Sequence, residues 1–508
     1  MKMRTVAGLA LLLSASLAFA QRGIGPIVNS VPNANPHEGT PDSIVARPFK
    51  LKVLVNKDFA LENPSGVITS FGELSTGVGT EPDQNTYVNF LKSPGGPDKH
   101  FNYGHHFLFQ GHENAGNLAY VTRINLDVKD KAHKITLLTP TDATTGLTNF
   151  NAIDGSTYNP FTGSLLFTQE NGNAGGVIEI THTWPPVVKT LDGIFGRAGY
   201  EGIHVDDRGN LIIIEDTGGT SVSISPTDPA ATPKVAKQPN SFVYRFLPYH
   251  KNDLSKGGKL QALQVSIDGQ PLVFNAADAF GDVHSDAQLK LHTPGTSYPV
   301  QWVTVHDTKV DGTASFDANA AAKSAGATPF KRPENMAFLP GSHYQTFFFC
   351  PTGDTNSDAG TAELAARGSW GSIFRVDLNW SRNDGLISVF FVGDADHASF
   401  DNLTFADDHT ILATEDRGDT LHTQLNKLDS VWAFSIHGAA RPRRLVALGR
   451  DATSVAKGED NEPTGVHVSG GNTLPFFMYG TEADLFNARG FLTRQHGDNV
   501  VWEIVDAY

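Results

Sequence analysis

One pattern repeats along the chain and restricts the fold more than any other feature. Each copy has an acidic residue with a small or amide neighbour, an apolar strand, a turn, and a second strand that ends in acidic or polar residues. The copies lie at 151–171, 199–219, 332–354, 399–419 and, in degenerate form, 460–484. Turn sequences such as Pro340-Gly341-Ser342 separate the paired strands, as β-hairpins require. The pattern therefore predicts a series of similar β units.

A third strand follows each hairpin. These strands alternate in polarity or are rich in aromatic residues, and they lie at 176–180, 241–246, 372–378, 430–436 and 499–505. An apolar inner pair with an amphipathic outer strand, repeated about every 40 to 50 residues, is typical of a propeller blade. A related unit at 105–127 is the sixth copy. We therefore predict an all-β fold, a six-bladed β-propeller with loop insertions. A pair of β-sandwiches is the alternative, but it does not explain the repeated acidic hairpin ends.

The N-terminus has the features of a signal peptide. Lys2 and Arg4 precede an apolar run, and Ala18-Phe19-Ala20 has small residues where a signal peptidase cleaves. We predict a signal peptide at 1–20 and a periplasmic or extracellular protein. The apolar run is too short to span a bilayer, so no membrane insertion is expected.

The rest of the chain is predicted to be an N-terminal extension, 21–44, and a propeller domain, 45–508. The last strand is expected in a blade that the N-terminal segment helps to close. Insertions are predicted at about 220–240 and 247–331. We interpret 247–312 as an excursion of the third blade, and 220–240 and 313–329 as surface insertions without a core of their own.

The charge of the chain restricts its partners. Its 39 basic and 54 acidic residues give a net charge of −15, which argues against nucleic acid and anionic membranes. This charge suits binding of divalent cations, and it equally suits solubility alone. The single cysteine, Cys350, excludes internal disulfides.

The repeated acids predict a cation site. The innermost strands of a propeller run along a central channel, and loops from every blade meet at one mouth of it. An acid at the same place in each repeat should form a ring there, and closely packed carboxylates demand a cation. Calcium, which accepts 6 to 8 oxygens, suits such a ring. Glu201, Glu334 and Asp401, with Asn335 and Asn402, are the predicted ligands. The alternative is that these acids cap exposed turns.

A second set of acids follows the inner strands and comprises further ligands or turn residues. Its members are Glu170, Glu215, Asp216, Asp354, Glu415 and Asp416. The chain has no G-x-S-x-G, P-loop or C-x-x-C motif, which leaves metal-assisted hydrolysis as the main chemistry. Arg332 lies near Glu334, and Arg417 follows the acidic pair 415–416. A guanidinium beside metal ions suits a phosphate oxygen; alternatively, each arginine only balances its acidic neighbours.

Several segments resemble the PhoX-type alkaline phosphatases of bacteria. They are "GHEN" (111–114), "FVYRF" with "GKLQAL" (242–263), "ATPFKRPENMAF" (327–338), and the segments 401–404 and 415–419. The resemblance runs from about residue 105 to 484. It implies a six-bladed propeller, phosphomonoester hydrolysis, and a metal cluster at the channel mouth in which calcium and iron share carboxylate ligands. Carried over by motif, it implies Glu113, Glu170, Glu201 and Glu334 as ligands and Arg332 as a phosphate contact.

The chain departs from this family at one ligand. The family's iron-binding cysteine precedes an acidic pair, where this chain has Thr168 or Gln169, and Cys350 lies in a different repeat. Calcium is therefore the expected cofactor, whereas an iron ion would lack the thiolate ligand that the family's cysteine provides. Arg332 and Glu334 are the predicted catalytic residues. The predicted metal ligands are Glu113, Glu170, Glu201, Glu334, Asp401 and Glu415.

Together these features predict an exported, metal-dependent phosphomonoesterase that acts as a monomer on a small phosphoester. Two alternatives stay open: a propeller lactonase or esterase that uses the metal as a Lewis acid, and a noncatalytic secreted propeller with a structural calcium ion.

Overall fold

The structure is a computed structural model that describes residues 23–33, 43–379, 381–437, 441–450, 452–457, 461–473 and 485–507. The predicted signal peptide, 1–20, lies outside the described residues. No helix in the described ranges is long and apolar enough to cross a membrane.

The described ranges are built mainly from β-strands. In chain order the strands are β1 (Ile44–Val45), β2 (Phe49–Val55), β3 (Glu81–Asn89), β4 (His106–Glu113), β5 (Tyr120–Asn125), β6 (Ile135–Leu137), β7 (Ile153–Asn159), β8 (Ser164–Gln169), β9 (Gly176–Thr181), β10 (Val188–Thr190), β11 (Tyr200–Val205), β12 (Leu211–Glu215), β13 (Ser221–Ser223), β14 (Lys234–Lys237), β15 (Val243–Pro248), β16 (Gly258–Ile267), β17 (Gln270–Pro271), β18 (Tyr298–Asp307), β19 (Pro333–Phe338), β20 (Thr346–Pro351), β21 (Ser372–Asn379), β22 (Asp384–Val392), β23 (Phe400–Asp407), β24 (Thr410–Glu415), β25 (Ser430–Ser435), β26 (Arg443–Ala447), β27 (Pro463–Ser469), β28 (Arg489–Arg494) and β29 (Val500–Asp506).

The helices are short and lie in the connections. They are α1 (Asp192–Phe195), α2 (Ala279–His284), α3 (Asp286–Leu291), α4 (Thr308–Asp311), α5 (Ala318–Ser324), α6 (Ala362–Ala365), α7 (Gly418–Leu425) and α8 (Ala452–Lys457), with 3₁₀ turns at Lys131–His133, Gly172–Ala174, Leu254–Lys256 and Ser357–Ala359.

The strands form six antiparallel blades. Their orders from the innermost strand outward are β3-β4-β5-β6, β7-β8-β9-β10, β11-β12-β15-β16, β19-β20-β21-β22, β23-β24-β25-β26 and β27-β28-β29-β2. Each innermost strand contacts the innermost strands of the two neighbouring blades, and β27 contacts β3, so the ring is closed. The predicted six-bladed β-propeller is confirmed.

The blades pack face to face, so the second strand of a blade can be apolar on both sides. In β20, for example, Phe347 and Phe349 pack with the third and fourth blades, whereas Phe348 packs against the fifth-blade residue Phe405. Strands that are buried on both faces appear in the sequence as continuous apolar runs rather than as strict alternation. This is why the second strand of each hairpin was easy to find.

The N-terminal segment closes the ring, as predicted. β2 pairs with β29, the last strand of the chain, with Phe49 opposite Asp506 and Val53 opposite Trp502. β1 extends the fifth blade by pairing with β26. The two ends of the chain thereby contribute to one sheet, which fixes the sixth blade between its neighbours.

Two predicted units need correction. The unit 105–127 is not an inner hairpin: it supplies the second and third strands of the first blade, whose innermost strand is β3. In the sixth blade β27 pairs with β28 (Arg489–Arg494). The second strand that we predicted within 474–484 lies outside the described residues.

The insertions pack against the propeller more than the sequence indicated. β16 is the outer strand of the third blade, and β18 joins it to β22 of the fourth, so 247–312 includes part of the third blade itself, and its interpretation as an excursion stays a prediction. Segment 313–329 is not a bare surface loop, because Ala318 and Ala322 of α5 are fully buried against that blade. The hairpin β13–β14 packs likewise on α2 and α6. The division into domains stays a prediction.

Candidate metal centre

The same irregularity occurs near the start of every innermost strand. The pairing register shifts between 82 and 85, 153 and 156, 200 and 203, 333 and 335, 400 and 403, and 464 and 467. Such β-bulges bend a strand and change the direction of a side chain. The bulges of the first five blades contain Asp83, Asp154, Glu201, Glu334 and Asp401 in turn.

Close packing between neighbouring bulges explains the small residues that follow two of these acids. A Cβ atom on Gly155 would lie 1.9 Å from the backbone oxygen of Glu201 in the next blade. A Cβ on Gly202 would lie 2.6 Å from the Asn335 side-chain oxygen and 2.9 Å from its Cα. Larger side chains would therefore push the bulges, and the acids they carry, apart.

The structure brings seven carboxyl groups together into three sets that share members. The sets are Asp83, Glu113 and Asp154; Asp154, Glu170 and Glu201; and Glu201, Glu334 and Asp401. Within each set one ligand atom per residue lies within 4.8 Å of the others. We call these seven residues the acid cluster. Glu201, Glu334 and Asp401 thus come together as the repeat predicted, whereas metal binding by them stays a prediction.

The cluster is buried, and its members repel one another. Burial, followed by repulsion from neighbouring acids, raises the pKa of Glu113 to about 8 and that of Asp154 well above its ordinary value. The same two causes raise the pKa values of Asp83, Glu170, Glu201 and Asp401 well above their ordinary range. For Glu334, burial and then the charge of Asp216 raise the pKa to about 8. Carboxylates held this closely require protons or cations.

Two carboxylate oxygens in the cluster have no hydrogen-bond partner among the described residues. They are Asp83 Oδ1 and Glu201 Oε2, and both are buried. A buried, unpartnered acceptor is costly, and a bound cation would relieve that cost. The oxygen-only donor set fits a hard cation.

Three side-chain amides lie next to the acids. Asn402 Oδ1 accepts hydrogen bonds from Gln84 Nε2 at 3.2 Å and Asn335 Nδ2 at 3.3 Å. Asn402 Nδ2 in turn donates to Asp401 Oδ1 at 2.6 Å. The amides therefore fix the orientation of Asp401. Further along the same innermost strands, a cavity of about 180 Å³ is lined by residues that include His204 and His467.

Arg332 is the cation that acts on this cluster. Its Nε and Nη2 both contact Asp216 Oδ2, at 2.9 and 2.8 Å, and Nη2 lies 3.4 Å from Glu334 Oε1. Its side chain is 20% exposed, whereas that of Asp216 is 2% exposed. Arg332 therefore balances carboxylates and also reaches solvent, so the two interpretations of this arginine are compatible.

The structure does not bring Glu415 into the three acid sets. Its carboxylate pairs with Arg417, whose Nη1 lies 3.5 Å from Asp429 Oδ1, and all three side chains are fully buried. The Ala398 amide also donates to Glu415, at 3.0 Å. The charge of Glu415 is thus balanced by Arg417 of the same blade. This placement does not support our prediction that Glu415 is a metal ligand.

The lone thiol does not face the acid cluster either. The Cys350 Sγ contacts the backbone oxygens of Asn335 and Asp401. The Thr168 hydroxyl occupies the matching position two blades earlier and donates to the backbone oxygens of Gly155 and Glu201. Both side chains bind bulge backbone, and neither belongs to the three acid sets.

Sequence reasoning missed Asp83 and Asp154 as members of the cluster, and it did not pair Asp216 with Arg332. A signal for Asp83 was present, because Asp83-Gln84 has the same acid–amide order as Glu334-Asn335. It was overlooked because β3, with the sequence EPDQNTYVN, is too polar to be recognised as an inner strand.

Comparisons with known proteins agree with the fold. The family model described as alkaline phosphatase PhoX matches residues 234–474, which confirms the predicted resemblance. Among solved structures, PhoX of Pseudomonas fluorescens in complex with vanadate, a transition state analogue, is similar with a TM-score of 0.56 at 13% identity, covering 96% of this chain and 98% of that one.

Two further structures are more distant. A gluconolactonase of Xanthomonas campestris has a TM-score of 0.35 at 10% identity and covers 93% of this chain and 98% of its own. TolB of Acinetobacter baumannii has a TM-score of 0.30 at 10% identity, with 83% and 63% covered. No curated protein matches the sequence.

Proposed function

Because the chain resembles the PhoX alkaline phosphatases over residues 234–474, we propose that it is a metal-dependent phosphomonoesterase, with its metals in the acid cluster at one mouth of the propeller channel. The observation that carries the proposal is the cluster itself: seven mutually repelling carboxyl groups next to Arg332, five of them on buried and two on half-buried residues. The family match supports a phosphatase-type function, and the partly exposed guanidinium supports an anionic substrate.

Calcium is the cation that the donors suit best. The three acid sets offer oxygen atoms without imidazole or thiolate, and calcium accepts 6 to 8 oxygens at 2.3–2.6 Å in flexible geometry. Glu113, Glu170, Glu201, Glu334 and Asp401 would hold it, joined by Asp83 and Asp154. Iron would lack the thiolate that the family resemblance implies, because Thr168 and Cys350 bind backbone oxygens instead.

Bound cations would supply Lewis-acid activation and charge neutralisation for phosphoryl transfer. The remaining contributions come from the chain. Arg332 would bind a phosphoryl oxygen through N–H groups that Asp216 and Glu334 leave unused, and such charge-assisted bonds are about twice as strong as neutral ones. Glu334 contacts both Arg332 and the Thr352 hydroxyl. It would therefore hold the substrate-binding arginine at a fixed place relative to the metal ligands.

The test is metal analysis of the purified protein together with assays on p-nitrophenyl phosphate and on a lactone. We expect calcium-dependent hydrolysis of the phosphomonoester at neutral to alkaline pH. Hydrolysis of the lactone alone, at full metal occupancy, would show that the propeller is a lactonase. Hydrolysis of neither would leave calcium a structural role. For the location, we propose export through the segment 1–20, testable by cell fractionation.

A further inference from the structure

Asp216 is buried, acidic and next to the acid cluster, yet it belongs to none of the three acid sets. Its charge adds to the repulsion that raises the pKa values of Glu170 and Glu334. The charge of Asp216 therefore makes ionisation of the cluster less favourable, so charge alone does not account for a carboxylate at this place. The contacts of its side chain indicate what the carboxylate does.

The contact between Asp216 and Arg332 joins two blades. Asp216 directly follows β12 in the third blade, and Arg332 directly precedes β19 in the fourth. The guanidinium uses both Nε and Nη2 on the same carboxylate oxygen, Asp216 Oδ2. One hydrogen bond, from Nε, and one close ion-pair contact, from Nη2, lie on the same edge of the planar group and fix its orientation as well as its position.

Both backbones are anchored at this point. The Asp216 amide donates to the Gly199 oxygen at 2.8 Å, and the next residue, Thr217, donates its amide to the Ser241 hydroxyl at 2.8 Å. The Arg332 oxygen accepts from the Thr352 amide at 2.7 Å, and Arg332 has a left-handed φ of 51°. A non-glycine residue costs roughly 1 kcal/mol or more in that conformation, so the surroundings hold Arg332 in place.

We propose that Asp216 is a positioning residue: it holds the Arg332 guanidinium by one edge so that the opposite edge forms a phosphate-binding site beside the acid cluster. This inference rests on the proposed function, because it assigns the anion contact of the same site. Arg332 Nη1 has no hydrogen bond or ion pair among the described residues, and the side chain as a whole is 20% exposed.

Replacing Asp216 with asparagine separates positioning from simple electrostatics by the sign of the effect. If Asp216 were only a nearby negative charge, its neutralisation would strengthen the binding of an anion. If it positions Arg332, the substitution releases the guanidinium and weakens the binding. Loss of a well-placed hydrogen bond to a charged group weakens binding by roughly 10- to 100-fold, and we expect phosphate affinity to fall by about this factor in Asp216→Asn.

The probe is inorganic phosphate, measured by calorimetric titration of the calcium-loaded protein, with metal content determined for each variant. The double variant Asp216→Asn, Arg332→Ala should bind phosphate as weakly as Arg332→Ala alone, because a positioning residue has no effect once its partner is gone. Additive losses would overturn the inference. A fall in metal content in Asp216→Asn would overturn it too, because Asp216 would then be a metal ligand.

The chain offers a matched control. In the connection between the second and third blades, Arg197 directs its Nε and Nη2 to one oxygen of Asp192, at 3.2 and 2.8 Å, outside the acid sets. Asp192→Asn should leave phosphate affinity unchanged. If Asp216→Asn does not fold, Asp216→Glu keeps the charge but displaces the guanidinium by one methylene, and it should also weaken phosphate binding.

Failure of this inference is distinguishable from failure of the proposed function. A wild-type protein that binds phosphate but does not hydrolyse p-nitrophenyl phosphate would contradict the enzymatic function. The phosphate titrations of the variants would still test whether Asp216 positions Arg332. A calcium-loaded wild-type protein that does not bind phosphate would overturn the role assigned to Asp216.

Discussion

Replacing Glu334 with glutamine should stabilise the metal-free protein. Burial and neighbouring acids raise the pKa of Glu334 from 4.5 to about 8. At pH 7 the unfolded chain therefore releases a proton that the folded, metal-free protein retains. With about 1.36 kcal/mol per pKa unit over the interval from 4.5 to 7, this side chain lowers the free energy of unfolding by about 3 kcal/mol.

The sign of the shift fixes the pH window. Because the folded-state pKa is raised, the destabilisation is absent below pH 4.5, grows as the pH rises towards 8, and is constant above that value. Glutamine cannot ionise, so Glu334→Gln should raise the free energy of unfolding by about 3 kcal/mol at pH 7 and by less than about 1 kcal/mol at pH 5.

A bound cation should reverse the order of the two proteins. An ion that binds only the folded state stabilises it by about 2.7 kcal/mol at a concentration 100 times its Kd. Glutamine removes a carboxylate from one acid set, so the variant should gain less from calcium than the wild type. We therefore expect Glu334→Gln to be the more stable protein in chelator and the less stable one in excess calcium.

The free energy of unfolding of both proteins is measured by urea unfolding under four conditions: at pH 5 and at pH 7, each with chelator and with calcium. Glu503→Gln is the control, since Glu503 is also buried but accepts hydrogen bonds from Arg489 Nε at 2.7 Å and Lys52 Nζ at 3.1 Å, and although burial opposes it, these contacts lower the pKa of Glu503. It should be destabilised with and without calcium. A Glu334→Gln protein less stable than wild type in chelator at pH 7, or equally stabilised at both pH values, would refute the reasoning.

Further predictions concern the substrate contact, the ion pairs and the closure of the ring. Arg332→Ala should slow phosphomonoester turnover by roughly 10²-fold at unchanged metal content, measured by steady-state kinetics, since one preorganised donor is lost; an unchanged rate would contradict the contact. Chelation should lower the Tm of the wild type in a thermal scan, with recovery on addition of calcium. Arg417→Met should cost about 3–5 kcal/mol in urea unfolding, because the fully buried Glu415 carboxylate loses the cation with which it pairs; a loss below about 1 kcal/mol would argue against a structural pair. Deletion of residues 21–55 should prevent a soluble monomer in gel filtration, because β29 would lose its partner strand β2.

The sequence by itself determined the local units. The hairpins β7–β8, β11–β12, β19–β20 and β23–β24 lie within the predicted copies, because an apolar run, a turn and a second run are set by neighbouring residues. The number of units, together with their resemblance to a known family, was enough to predict the propeller. Three of the bulge acids, Glu201, Glu334 and Asp401, were visible for the same reason, since they recur at one place in their copies.

The tertiary structure decided which of these acids meet and what charge they carry. Arg332 and Asp216 are 116 positions apart in sequence, and their contact depends on how two blades pack. Glu415 and Glu170 have similar places in the repeat pattern, but Glu415 pairs with Arg417, whereas Glu170 lies in an acid set. Asp83 entered the cluster through a polar strand whose pairing with β4 no local pattern indicated. Hairpins depend on contacts within one unit, whereas the centre depends on contacts between units, which only the closed ring creates.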